Sequence, residues 1–191
     1  IFLTSKGFND PGVLNGFIQM VDSLKINKKI CFITTAIRKD DREYHMNETT
    51  QILGKAGIKE VAFLDIETES PSILNTFPII CIFGGHPFIL LDRLKQSQTD
   101  KLLLELNRNG SLILGHSSGA AVLGMTIKHA NILHPEWNDI GLTNFDGIGL
   151  VNKVILPHSN RYIDQQELLE DFERDEGIEL TRIEDGKYLL L

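Results

Sequence analysis

Short apolar runs alternate along the chain with longer stretches in which apolar positions recur every three or four residues. The runs are IFLT at 1–4, KICFITTA at 29–36, EVAFLDI at 60–66, IICIFGG at 79–85 and SLILG at 111–115. Their length and β-rich composition read as strands. Between the first two, Leu14, Phe17, Ile18, Val21 and Leu24 fall at helical spacing, with Asp10-Pro11 as N-cap and first-turn proline. LDRLKQ and TDKLLLELNRNG also read as helices, the second closed by Asn109-Gly110, while Asp40 to Gly54 is more polar. This rhythm predicts βαβ units and a parallel sheet covered by crossover helices.

Beyond SLILG the pattern loosens. Asn131 to Gly149 holds His, Pro, Trp, Asn and Gly and reads as loop or hairpin close to a site, after which VNKVILPH resumes as a strand. Arg161 to Arg174 predicts a final helix with Leu168, Leu169 and Phe172 on its inner side. ELTRI and GKYLLL then predict a hairpin turning at Asp185-Gly186. No repeat, low-complexity segment or linker interrupts residues 1–191, so one α/β domain is expected.

Composition narrows the function classes. With 191 residues and 42% hydrophobic content the chain can bury one good-sized core. The 19 Lys+Arg against 26 Asp+Glu give a net charge of -7 without a basic run, which argues against a nucleic-acid partner. Cys31 and Cys81 sit inside apolar strands and read as buried free thiols. No apolar run reaches the roughly 18 residues of a membrane span, and no signal-like segment opens the chain, so a membrane role is not expected and the cytoplasm is the expected location. The chain opens at Ile1 without a methionine and stops at Leu191 inside an apolar run, so terminal residues are expected to be missing.

The chemistry concentrates after SLILG. Gly115-His116-Ser117-Ser118-Gly119 is a G-x-S-x-G sequence between a strand and a helix, the setting in which a serine is presented on a sharp turn as a nucleophile. The next N–H, that of Ser118, would point where an oxyanion forms. The same pentapeptide also occurs as a plain strand–helix connection or an anion-binding helix start. A serine needs a base and an orienting acid. Of the six histidines, His158 ends the VNKVILP strand, where catalytic groups gather in open α/β sheets, although a capping or core histidine would look the same. His116, adjacent to Ser117, is expected to point away as a pocket or packing residue, and His45, His129 and His134 show no evident role. Asp185 is the candidate acid, though Asp-Gly is also a simple turn dipeptide. Gly84-Gly85 follows the IICIF strand, and Gly85 is the candidate second oxyanion donor. No metal-ligand spacing, no G-x-G-x-x-G after the first strand and no P-loop is present, so neither metal nor cofactor is expected.

FGGHPFILL, GHSSGAAVLG, LPHSNR and IEDG, in that order, resemble the four signature regions of the dipeptidase E (aspartyl dipeptidase) serine peptidase family, to which cyanophycinase is related. The resemblance implies a flavodoxin-like, class I glutamine amidotransferase-like three-layer sandwich with a mostly parallel central sheet. It implies Ser117, His158 and Asp185 as catalytic triad, with Asp185-Gly186 where the family has Glu-Gly. In the elbow, His116 and Ser118 replace the usual Trp and Ala; in the family's Gly-Gly-Asn, His86 replaces the Asn tied to substrate contact. His86 and Arg161 are the substrate-binding candidates, Arg161 as a fork for a substrate carboxylate. The chain order Ser, His, Asp separates this family from α/β-hydrolases, which run Ser, acid, His. Serine at 117 also argues against amidotransfer, which uses cysteine at the elbow.

The expected function is therefore a serine hydrolase of small peptides, Asp-Xaa dipeptides among them, working through an acyl-enzyme, with a homodimer left open. Two alternatives stand beside it: a noncatalytic binding domain on the same scaffold, and a hydrolase of another ester or amide bond.

Overall fold

A computed structural model describes all residues from Ile1 to Leu191. The five N-terminal apolar runs are strands: β1 (Phe2–Thr4), β2 (Lys29–Ile33), β3 (Glu60–Leu64), β4 (Ile79–Ile82) and β5 (Leu112–His116). All five are parallel, in the order β3-β2-β4-β5-β1. The helices between them are α1 (Pro11–Ser23), α2 (Lys39–Lys55), α3 (Pro87–Gln96) and α4 (Thr99–Arg108); α5 (Ser118–Leu123) and α6 (Lys128–Leu133) follow β5. The polar stretch around Asp40 to Gly54 is thus a helix, buried only through Thr49 and Leu53.

Strand alternation divides the core into two layers. On β4, Ile79 and Cys81 face α1 and α2 together with Phe2, Phe17, Phe32 and Leu53. Ile80 and Ile82 face the opposite layer with Phe88, Leu91, Leu103 and Val122 from α3, α4 and α5. Cys31 and Cys81 lie free on opposite sides of the sheet. In α1 the buried seam is Val13, Phe17 and Val21, flanked by Leu14 and Ile18; Leu24 lies past the helix end and is exposed.

The C-terminal third departs from expectation. Strand β6 (Val154–Pro157) pairs in parallel with β7 (Leu180–Ile183), forming a separate two-stranded sheet. Strand β8 (Tyr188–Leu190) runs antiparallel to β1 at the edge of the main sheet. The turn at Asp185-Gly186 exists, but it joins two sheets rather than closing a hairpin. Each strand has a better partner elsewhere: Leu180 buries against Leu156, Leu169 and Phe172, while β8 covers what would otherwise be the open edge of β1. The last helix, α7, spans Gln166–Glu176 after two 3₁₀ turns at Ser159–Arg161 and Ile163–Gln165. Leu169 and Phe172 face the core, and Leu168, about a quarter-turn away, is exposed.

Connections from β1 and β2 pass to one face and those from β4 and β5 to the other, so the loops diverge and open a crevice beyond the carboxyl ends of these strands. At its rim α1 begins at Asp10, whose Oδ1 accepts from the N–H groups of Gly12 (2.8 Å) and Val13 (3.1 Å). Asp10→Ala leaves both donors without that acceptor, and a loss of about 1 kcal/mol is expected. Thermal unfolding should register it as a drop of roughly 2–4 °C in Tm.

Candidate active site

The sheet register brings the site together before any side chain is considered. Thr4 is level with His116 across β1 and β5, and Ile82 with Gly115 across β4 and β5. Ser5 and Ser117, each the next residue, and Gly84, two past Ile82, therefore leave the sheet side by side. In the second sheet Pro157 is level with Ile183, so His158 emerges near the Glu184-Asp185 turn.

Ser117 occupies the corner between β5 and α5 with φ 52° and ψ -123°, a conformation costly for any residue with a Cβ. Its N–H donates to Thr4 O at 2.9 Å and its carbonyl receives the N–H groups of Ala120 and Ala121, so both backbone groups are fixed. The close turn requires Gly119, where a Cβ would collide with Ile82 O. Gly85 is required twice over: its φ is +133°, and a Cβ there would strike Ala36 O.

Ser117 Oγ lies 2.8 Å from His158 Nε2. His158 Nδ1 lies 2.6 Å from Asp185 Oδ1. Asp185 is braced further by Arg161, whose Nε donates to Oδ2 at 2.8 Å and whose Nη2 lies 2.7 Å from the same oxygen. Its own N–H donates to Asn160 Oδ1 at 2.8 Å. Burial pushes the Asp185 carboxyl up, but hydrogen bonds from His158, Arg161 and Ser5 outweigh it and hold it at about 2. Burial also lowers His158 below its ordinary 6.5, helped by the positive charges of Arg161 and Lys6 and opposed by Asp185. At neutral pH the pair is thus a carboxylate beside a neutral imidazole with its Nε2 turned to the serine.

Ser118 opens α5, so its N–H precedes the first intrahelical bonds, and its hydroxyl donates to Gly85 O at 2.8 Å. The two expected oxyanion residues are thereby tied to each other. His86 caps α3, its Nδ1 accepting from Ile89 N at 3.4 Å, and its Nε2 lies 3.7 Å from Asp139 Oδ1. It lines the crevice, a cavity of about 680 Å³ that also exposes Ser117, His158 and Gly85. Arg161 is not in that lining; its fork faces Asp185 instead of an open pocket.

Positive charge in the crevice comes from Lys6 and Arg38, neither paired with a carboxylate, and Trp137 adds an aromatic wall stacked on His134 at 3.9 Å. No sequence motif marks these three. His116 points away from the serine, with its ring edge-on to Phe8 and Phe83. No three His, Cys, Asp or Glu side chains cluster as a metal site would need, and no helix is long and apolar enough to cross a membrane.

Residues 1–191 match the model of peptidase family S51. The chain belongs to that family. An uncharacterized peptidase of Listeria monocytogenes is 33% identical over 164 residues, which cover 84% of this chain and 78% of the relative. A second, from Listeria innocua, is also 33% identical, covering 84% and 76%. Among solved structures, a candidate peptidase E protein from Listeria monocytogenes EGD-e superposes with a TM-score of 0.78 at 26% identity, covering all of this chain and 92% of that one. A peptidase from an acI-B1 Actinobacterium shares the fold, with a TM-score of 0.68 at 19% identity over 96% of this chain and 79% of its own. This S51 chain is accordingly a peptidase of the serine type on a mostly parallel α/β scaffold.

Two buried histidines bear on stability. Burial lowers His116 to about 3 and His129 to about 4, against 6.5 when solvated. Below pH 6.5 the unfolded chain binds protons that the folded chain refuses, so stability falls as pH drops from 6.5 toward 4. His116→Phe removes one of these sites together with a buried Nε2 that has no partner. The variant should match or exceed the parent in urea unfolding at pH 7 and lose less stability at pH 5.

Proposed function

We propose that this S51 chain hydrolyses small peptides with Ser117 as nucleophile, His158 as base and Asp185 as the acid that orients it. The observation that carries this reading is the unbroken hydrogen-bond run from Ser117 Oγ through both nitrogens of His158 to Asp185 Oδ1, starting from a serine held at positive φ. His158 Nε2 takes the hydroxyl proton as Oγ attacks the scissile carbonyl carbon. The resulting oxyanion is received by the N–H groups of Gly85 and Ser118, each such donor being worth about 3–4 kcal/mol. Collapse breaks the C–N bond, the imidazolium returns its proton to the leaving amine, and the acyl group stays on Ser117. Water then attacks the acyl carbon while giving one proton to His158; the second collapse breaks the C–O bond to Ser117, the imidazolium returns that proton to Oγ, and the acid product leaves.

Asp-Xaa dipeptides are the substrates we favour. Beside Asp41 and Glu48, the crevice holds the cations of Lys6 and Arg38, neither in an ion pair and so open to a substrate carboxylate, whereas Arg161 lies outside the lining with Nε and Nη2 on Asp185. The cavity of about 680 Å³ suits a short peptide.

Incubation with a serine-directed phosphonate should label Ser117 in the parent and nothing in Ser117→Ala, and that variant should lose turnover by at least about a thousandfold. A panel of Asp-, Lys- and Ala-initiated dipeptides and simple esters should rank the Asp peptides first. A folded parent that resists labelling would make the scaffold a binding domain, and preference for esters would move the chain to another acyl bond. Because His158 is lowered, the acid limb of the kcat/KM profile should have its midpoint below pH 6.5.

A further inference from the structure

Ser5 has no place in the triad just described, yet it touches two of its three members. It is fully buried at the end of β1. Its Oγ accepts from the backbone N–H of His158 at 2.7 Å and donates to Asp185 Oδ1 at 2.9 Å. It also lies 2.9 Å from His158 Nδ1. A serine hydroxyl carries one proton and two lone pairs, and here all three are accounted for. The proton goes to the carboxylate, one lone pair takes the His158 amide, and the other faces the Nδ1–H that Asp185 holds at the shorter 2.6 Å.

We infer that Ser5 is a positioning residue that fixes both the backbone of His158 and the carboxylate of Asp185. This rests on the reading of Ser117 and His158 as nucleophile and base. Three consequences of the geometry support it. His158 has φ 56° and ψ 29°, in the left-handed region, and the bond to Ser5 Oγ holds its amide in that unfavourable conformation. With Ser5 donating to Asp185 Oδ1, the carboxylate faces Nδ1 purely as acceptor, which places the imidazole proton on Nδ1 and leaves the Nε2 lone pair for Ser117. Finally, Thr4 O accepts from Ser117 N at 2.9 Å, so the last residue of β1 and the one after it grip the nucleophile on one side and its base on the other.

The test is an NMR titration of the His158 ring in the parent and in Ser5→Ala, which reports on the pair whether or not peptide is turned over. Losing the Ser5 donor makes Asp185 a stronger acceptor for Nδ1–H, so the His158 midpoint should rise by about half a pH unit or more. In peptide assays kcat should fall roughly 10- to 100-fold while KM changes little, as expected for a base out of line. Ser5→Thr, which keeps the hydroxyl, should restore both readouts. If Ser5→Ala does not fold, Ser5→Cys, whose thiol is a weak donor, should give the same upward shift. An unchanged His158 midpoint in the folded variant overturns the inference. Failure of phosphonate labelling in the parent would instead overturn the reading of Ser117 and leave the titration result standing.

Discussion

Ser117 and His158 leave two different sheets, and the 2.8 Å between their side chains is set where the end of β1 bonds to both. Thr4 O holds the Ser117 amide, the Thr4 hydroxyl donates to Lys187 O at 3.1 Å, and Ser5 holds the His158 amide and the Asp185 carboxylate. One short strand beside the sheet edge therefore links the elbow, the second sheet and the segment returning into β8. Hydrogen bonds of this kind contribute only about 1 kcal/mol each to stability. Their larger effect is geometric, since a base displaced by an ångström no longer accepts the serine proton in line.

The same junction explains why two non-glycine residues persist at positive φ beside one hydrogen bond. Ser117 at 52° and His158 at 56° each occupy conformations that isolated chains avoid. Ser117 is held from below by the packing of α5 on β4, where Gly119 meets Ile82 O without a Cβ between them. His158 is held by Ser5 Oγ in front and by Arg161 N donating to its carbonyl at 2.8 Å behind. Strain on both partners brings their side chains toward each other at the mouth of the crevice, where a substrate carbonyl can enter.

Much of this was legible in the chain because the information is local. The parallel strands show as β-rich runs, and the elbow shows because glycine, serine and glycine must occupy fixed offsets between a strand and a helix. Partner choice is not local. Asp185-Gly186 carries the turn chemistry of a hairpin, but whether β7 and β8 pair with each other depends on Leu180 finding Leu169 and Phe172, and on β1 needing a neighbour at its edge. Arg161 likewise reads as a free fork until the 3₁₀ turn at Ser159–Arg161 directs it to Asp185. Ser5 belongs to no motif, yet the rule that singles out Ser117 and His158, a polar residue just past the carboxyl end of a strand, applies equally to the serine after IFLT.

Where the related signature has Glu-Gly, this chain has Asp185-Gly186, and the structure shows how the shorter side chain reaches His158. An aspartate reaches one methylene less far, so its backbone must come closer to the imidazole. Asn160 Oδ1 takes the Asp185 amide at 2.8 Å and fixes the turn beside His158. Arg161 then engages Oδ2, leaving Oδ1 to face His158 Nδ1 at 2.6 Å. The two oxygens are divided between a permanent cation and the imidazole, which keeps the acid ionised well below neutrality, while burial, helped by Arg161 and Lys6, favours neutral His158. A carboxylate and an unprotonated imidazole side by side at pH 7 are the protonation states that general-base catalysis requires; burial of the ring sets one, the hydrogen bonds converging on Asp185 set the other, and Arg161 contributes to both.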